Sequence, residues 1–302
     1  MTLTATETPP CPLCGSKDSR TAASEPGLAI MRCRGCSMLF ASPYCSQFTD
    51  KCEKCGNRCM KPDSAAPSYY GDLSTGPRLR LEKKRLERIR AAAGPVFAGK
   101  RVIEIGSGVG ALGSLLHGEG ADYTGLEPVR MFYEKSVASF PELAPRIRNL
   151  FITGTELPEN HFDIIIAADV LEYVADPVAL LSRLKGHLKP GGVIYLEVPN
   201  ETFFLLRTKV RAGLGLYSSL VHPGHVNLFS RKTLGLAVSG AGLRALGLYQ
   251  ISLLGDSERL RMTLKKELPP WLSLASGLAR LTKFDLPMQQ GNLVCVCAGP
   301  QA

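Results

Sequence analysis

Between positions 100 and 200, apolar residues arrive in short blocks separated by mixed, helix-spaced stretches. Val102, Ile103 and Ile105 form the first block, β-branched in the manner of a buried strand. Gly106, Gly108 and Gly110 follow, and a helix is expected from about 109 to 116. The alternation then repeats. Residues 122–126 read as a second strand, 148–152 as a third, the apolar run from Phe162 with its exit to Tyr173 as a fourth, and 193–198 as a fifth. Asp176 and Pro177 open the helix before the fifth strand as N-cap and first-turn proline. A sixth strand is expected over 242–254 and a closing strand over 292–298, where Cys295 and Cys297 alternate with valines and so face one side. This order predicts an α/β fold with a doubly wound parallel sheet.

Ahead of the alternation, cysteine takes over from hydrophobic periodicity. Eight of the ten cysteines lie between Cys11 and Cys59. Cys11-Pro12-Leu13-Cys14 and Cys33-Arg34-Gly35-Cys36 are two C-x2-C knuckles 18 residues apart. That spacing suits one tetrahedral Zn²⁺ held at about 2.3 Å per bond, closed and therefore structural. Lys17, Arg20, Arg32 and Arg34 stand near enough in sequence to offset its negative charge. Cys45, Cys52, Cys55 and Cys59 are less regular and read as a second structural zinc, with unligated cysteines or an iron–sulfur cluster as the alternatives.

The expected organisation is a cysteine-rich zinc-binding module at 1–62, a linker with N-terminal helix at 63–95, and one domain at 96–302. The linker is rich in Pro, Ser, Gly and Ala and carries Tyr69 and Tyr70. Its helix, over 78–93, sets Leu79, Leu86, Ile89 and Ala93 on one face, with Arg80, Lys83, Lys84, Arg85 and Arg88 expected on a solvated one. Inserts fall near 201–221 and 265–290. The first joins Phe203, Phe204, Leu205 and Leu206 to Arg207, Lys209 and Arg211, which suits a lid over an apolar substrate or a peripheral membrane contact.

Composition narrows the classes. A chain of 302 residues, 45% of them hydrophobic, can bury a sizeable core. No apolar run reaches the roughly 18 residues of a membrane span, and residues 1–7 lack the basic and apolar blocks of a signal peptide. A cytoplasmic protein is expected, in keeping with cysteines at metal spacings. The formal charge of +9 sits largely beside the cysteines and in the 78–93 helix, without interleaved aromatics, so nucleic acid is not an expected partner.

The glycine turn carries the chemistry, because the helix after it points free N–H groups and a positive dipole end at any ligand there. Gly106, Gly108 and Ala111 also fit the dinucleotide fingerprint, with Glu127 about 20 residues on. Glu104 discriminates: a carboxylate in the mouth of the turn repels a pyrophosphate and attracts an amine and a sulfonium. Glu127, at the end of the second strand, can accept both hydroxyls of a ribose. His225 or His222 can act as a general base, or can simply hold its loop, and Ser230 can cap the helix beginning near Arg231.

Glu104-x-Gly106-x-Gly108-x-Gly110 resembles the first motif of the class I S-adenosylmethionine (SAM) methyltransferases. The run from Phe162 to Tyr173 resembles that family's F-D-x-I-x-x-x-D-V-L-E-H motif, with Tyr173 replacing the usual histidine. Lys189-Pro190-Gly191-Gly192 and the His222–Ser230 approach to a helix are similar to further family features. The resemblance, densest over 100–200, implies a seven-stranded Rossmann-like methyltransferase sheet, here with a small N-terminal zinc-ribbon module. It implies SAM as cofactor and a small-molecule acceptor such as a natural product, sugar or lipid-like compound, methylated at oxygen, nitrogen or carbon. The cofactor-side residues would be Glu104, Gly106, Ser107, Gly108, Gly110, Glu127, Pro128, Asp169 and Val170. Thr155 or Glu156 would meet the adenine, where the family often has an aspartate. Asp169, Tyr173, His222 and His225 would lie on the substrate side. Two other classes stay open on sequence: a non-catalytic zinc-ribbon interaction protein on a SAM-binding fold, and an NAD-dependent oxidoreductase.

Overall fold

The computed structural model describes residues 8–25, 28–42, 76–202, 205–206, 208, 225–251 and 291–299. The second cysteine cluster, Tyr69, Tyr70, His222 and most of both inserts lie outside the described residues.

The β-branched block forms β4 (Arg101–Ile105), an interior strand of a seven-stranded sheet. β5 (Asp122–Leu126) and β6 (Ile147–Arg148) extend it on one side. β7 (Phe162–Ala168) and β8 (Leu188–Pro199) extend it on the other, all parallel. β11 (Asn292–Ala298) then inserts antiparallel between β8 and β10 (Arg244–Ile251). The order is β10-β11-β8-β7-β4-β5-β6. Because the chain leaves β4 toward β5 and later returns to β7 on the opposite side, the carboxyl ends of β4 and β7 open a crevice at the switch point.

Helices α1 (Gly76–Ala93), α2 (Ala111–Gly118), α3 (Arg130–Ser139), α4 (Pro177–His187) and α5 (Arg231–Gly240) accompany the strands. The expected caps are in place. The Asp176 carboxylate accepts from the Ala179 N–H at 2.8 Å, and Ser230 forms a reciprocal capping box with Thr233. Cys295 and Cys297 are both fully buried and share one core cluster, as their alternation requires.

Four details differ from the sequence reading. α2 begins at Ala111 because Gly106, Gly108 and Gly110 all take positive φ, which keeps the turn open for two residues longer. The third strand shrinks to Ile147–Arg148, since the Asn149 side-chain amide takes the carbonyls of Glu127 and Pro128 at 2.8 and 3.1 Å. β8 absorbs the Lys189–Gly192 turn, where Lys189 reaches the Asp163 carboxylate at 2.8 Å. Arg85 is not on a solvated face: it is buried, with Leu86, Ile89 and Glu82.

The first cysteine region forms β1 (Ser19–Glu25), β2 (Leu28–Cys33) and β3 (Leu39–Ser42), an antiparallel meander. Its fourth strand comes from far along the chain: β9 (Asn227–Leu228) pairs with Leu39 and Phe40. Met38 and Phe40 share one buried cluster with Phe229, Leu234 and Val238, so this sheet packs on the same core as α5.

Candidate active site

The glycine turn lies over the crevice. Gly106 has φ 73°, and a Cβ there would stand 2.9 Å from Val170 Cγ2, so both conformation and space demand glycine. The N–H groups of Gly106 and Ser107 donate to the Leu126 carbonyl at 2.8 and 3.0 Å, tying the turn to β5.

Glu127, at the end of β5, is 3% exposed. One carboxylate oxygen accepts from the Gly108 N–H and the other from the Val129 N–H, both at 2.7 Å. Each oxygen keeps a further lone pair, which fits a cis-diol. Burial pushes its carboxyl up to about 7, against the pull of the two N–H donors.

Glu104 is also buried and accepts from the Tyr123 hydroxyl at 2.6 Å, beneath the glycine turn. Burial and then the Glu104 charge hold the Tyr123 phenol well above its usual range, so it remains a donor. Thr155 is buried with its hydroxyl donating to the Phe151 carbonyl at 2.7 Å, whereas Glu156 is exposed and Pro128 half-buried.

At the tip of β7, Asp169 has φ 58° in the left-handed region, and its side chain is 41% exposed. Below it lies an ion network that sequence reasoning missed. Arg85 reaches Glu197 through Nε and Nη2, both at 3.0 Å, Glu82 at 2.9 Å and Asp169 at 3.1 Å. Asn292 donates to Asp169 at 3.2 Å and Glu197 at 2.9 Å, and the Tyr195 hydroxyl donates to Glu197 at 2.8 Å. Burial alone raises the Glu197 carboxyl; the Arg85 charge and these donors override it and hold it at about 2. The signal was present in the sequence: Glu82 stands on the apolar stripe of α1 beside Arg85, and Glu197 interrupts a strand that is otherwise apolar.

The Leu171–Tyr173 turn follows Asp169 and Val170. Glu172 is buried, and neither of its carboxylate oxygens has a hydrogen-bond partner among the described residues. Burial, then the Asp169 charge, pushes it well above the usual range. Tyr173 meets His225: the hydroxyl lies 3.0 Å from Nε2, and the rings stand edge to face with centroids 4.8 Å apart. The structure thus brings together two of the four expected substrate-side residues, with Asp169 just past the end of the strand before them.

The first cysteine cluster closes as its spacing requires. The four sulfurs of Cys11, Cys14, Cys33 and Cys36 lie within 4.8 Å of one another, with two pairs at 3.6 Å. A zinc tetrathiolate with bonds of about 2.3 Å has sulfur–sulfur edges of about 3.8 Å, so the donor set fits the ion. The two knuckles repeat one backbone pattern. Gly15 and Ser37 donate to the carbonyls of Cys11 and Cys33, Cys11 and Cys33 donate to those of Ser16 and Met38, and Gly15 and Ser37 share φ 70°.

The Rossmann-like sheet, the glycine turn and the paired acidic residues at the ends of β4 and β5 are those of the class I SAM-methyltransferase fold. The chain belongs to a family described as a methyltransferase domain, which matches residues 78–247. Over 129 residues it is 31% identical to the ubiquinone biosynthesis O-methyltransferase of Actinobacillus pleuropneumoniae serotype 5b (strain L20), covering 40% of this chain and 55% of that protein. The corresponding enzyme of Yersinia pestis (strain Pestoides F) is 29% identical over 145 residues, covering 45% and 58%. The match therefore spans little more than half the length of these relatives. Geranyl diphosphate C-methyltransferase from Streptomyces coelicolor A3(2) shares the fold, with TM-score 0.52 and 13% identity over 77% of this chain and 88% of that one. No helix among the described residues is long and apolar enough to cross a membrane.

Proposed function

We propose that this enzyme transfers a methyl group from SAM to a hydroxyl oxygen of a small-molecule acceptor, with the Tyr173–His225 pair as the proton acceptor. The observation that carries the reading is the 3.0 Å contact between the Tyr173 hydroxyl and His225 Nε2, next to the strand tip that bears Asp169. When bound, SAM supplies a methyl on a cationic sulfonium, already activated for in-line displacement. The protein's part is positioning and proton removal. The Glu127 lone pairs hold the ribose hydroxyls and the glycine turn passes beneath the ligand. Glu104 acts from beneath that turn as a fixed negative charge, not as an open ligand, and Thr155 shapes the adenine end through its backbone. The acceptor hydroxyl gives its proton to the pair as its oxygen attacks, and His225 can hold that proton because imidazole titrates near neutrality. O-methylation is also what the names of the two bacterial relatives describe.

Cys11, Cys14, Cys33 and Cys36 would hold one structural Zn²⁺, which contributes no step, and a second ion would sit at Cys45, Cys52, Cys55 and Cys59. Metal-bound thiolates suit the reducing cytoplasm.

The test is incubation with methyl-labelled SAM and a panel of phenols, alcohols and amines, alongside calorimetry with S-adenosylhomocysteine (SAH). A labelled methyl ether is the expected product. Labelled amines or carbon-methylated products alone would overturn the hydroxyl assignment. SAH binding with no transfer to any acceptor or cell extract would favour a non-catalytic binder, and NADH binding without SAH binding would overturn the whole reading.

A further inference from the structure

We infer that Asn227 is a positioning residue through which the cysteine-bearing sheet holds the acceptor side of the active site; this rests on the reading of Tyr173 and His225 given above. The connection is short. β3 leaves the second knuckle within three residues of Cys36. Phe40 of β3 pairs with Asn227, Leu39 pairs with Leu228, and the Ala41 N–H donates to the Val226 carbonyl at 2.9 Å. From its other side the same segment grips the turn after β7. The Val226 N–H donates to the Glu172 carbonyl at 2.7 Å, and the Asn227 side-chain amide donates to the carbonyls of Leu171 and Val174 at 2.9 and 2.7 Å.

Tyr173 lies between the two carbonyls that Asn227 holds, and His225 lies two residues before it. One two-residue strand thus fixes both members of the pair, and β3 fixes that strand. Asn227 and Val226 are 2% and 5% exposed, so water does not readily replace a lost donor there. Among uncharged side chains only asparagine and glutamine bring two donors on one planar nitrogen, and asparagine's short stem suits a residue whose own backbone is in the ladder. The cofactor side is anchored differently: the glycine turn is tied to Leu126 and Glu127. Loosening the cysteine sheet should therefore disturb the acceptor side and spare SAM.

The experiment uses the full chain and two variants. Asn227→Asp keeps the shape of the side chain and removes both donors. Ala41→Pro leaves Asn227 in place and removes the N–H that β3 gives to Val226. Amide hydrogen exchange is followed by mass spectrometry over 171–175 and 225–229, with 101–108 and 122–127 as reference, and SAH affinity is measured by calorimetry. Exchange in the first two segments should rise at least about fivefold in both variants, the factor that one ordinary net hydrogen bond sets. Reference exchange and SAH affinity should stay within about twofold. Unchanged exchange over 171–175, or an equal rise in the reference strands, would overturn the positioning role. Failure of the unsubstituted protein to bind SAH would instead overturn the methyltransferase reading, so the two failures are distinct.

Discussion

Replacing Arg85 by methionine tests the physics of the active-site floor. The substitution keeps an apolar stem of similar reach and deletes the guanidinium that serves Glu82, Glu197 and Asp169. Glu82 and Glu197 are 2% and 0% exposed, so their charges lose their partner where water cannot enter. Removing one member of a buried ion pair typically costs about 3–5 kcal/mol, far more than the pair itself contributes. At about 2–4 °C per kcal/mol, the melting temperature should fall by roughly 10 °C. The sign of the pH dependence is the sharper readout. In the parent protein Glu197 is held at about 2, below its ordinary value of 4.5, so its contribution is present above 4.5 and lost as pH falls toward 2. Without Arg85, burial acts on Glu197 against only the Tyr195 and Asn292 donors, so its carboxyl rises, and a carboxyl raised above its ordinary value destabilises the fold as pH rises through it. The gap between variant and parent should therefore narrow as pH is lowered from 8 to 5, in urea unfolding followed by circular dichroism. Arg85→Met with Glu197→Gln should recover at least about 1 kcal/mol, because a buried charge leaves with the cation. A loss under about 1 kcal/mol for the single variant, or a gap independent of pH, would refute the reasoning.

Four further outcomes follow from the site. In Glu127→Gln one of the two backbone N–H donors meets an amide instead of an oxygen, and SAH affinity should fall at least about tenfold by calorimetry. In the unsubstituted protein, SAH affinity should weaken as pH falls through about 7, where Glu127 takes up a proton and becomes a poorer acceptor for hydroxyls; equal affinity at pH 6 and 8 would count against that role. Tyr173→Phe should slow transfer to a hydroxyl acceptor by about 10²–10⁴, while Tyr173→His should retain more activity; equal rates in all three proteins would remove the pair from the mechanism. Gly106→Ala places a methyl against Val170 at positive φ, which costs about 1–2 kcal/mol in backbone strain alone. It should lower the melting temperature and SAH affinity together.

Which of these features could be read from the chain depends on the range of their causes. The central strands and the caps at Asp176 and Ser230 follow from residues within three or four positions of one another. The cysteine knuckles follow from two such neighbourhoods, each complete in itself. The β3–β9 pairing has no such basis, because a two-residue strand has no periodicity and its partner lies almost 190 residues earlier. Arg85 was misplaced for a related reason: periodicity shows which face of α1 is apolar, not that Glu197, 112 residues away, stands opposite it. Yet each half of that pair left a local violation. A glutamate inside Val193–Val198 needs a buried cation, and Glu82 with Arg85 beside an apolar helical stripe needs a buried counterpart. Two unexplained charges in otherwise apolar runs are the simplest explanation of one another. The same rule singles out Glu172, a carboxyl in a buried turn to which the sequence assigns no cation. Its predicted state is the protonated one, as burial and the neighbouring Asp169 charge require. An infrared carbonyl band of a protonated carboxyl near neutral pH, absent from Glu172→Gln, would show it; no difference between the two spectra would mean that the group is ionised and paired.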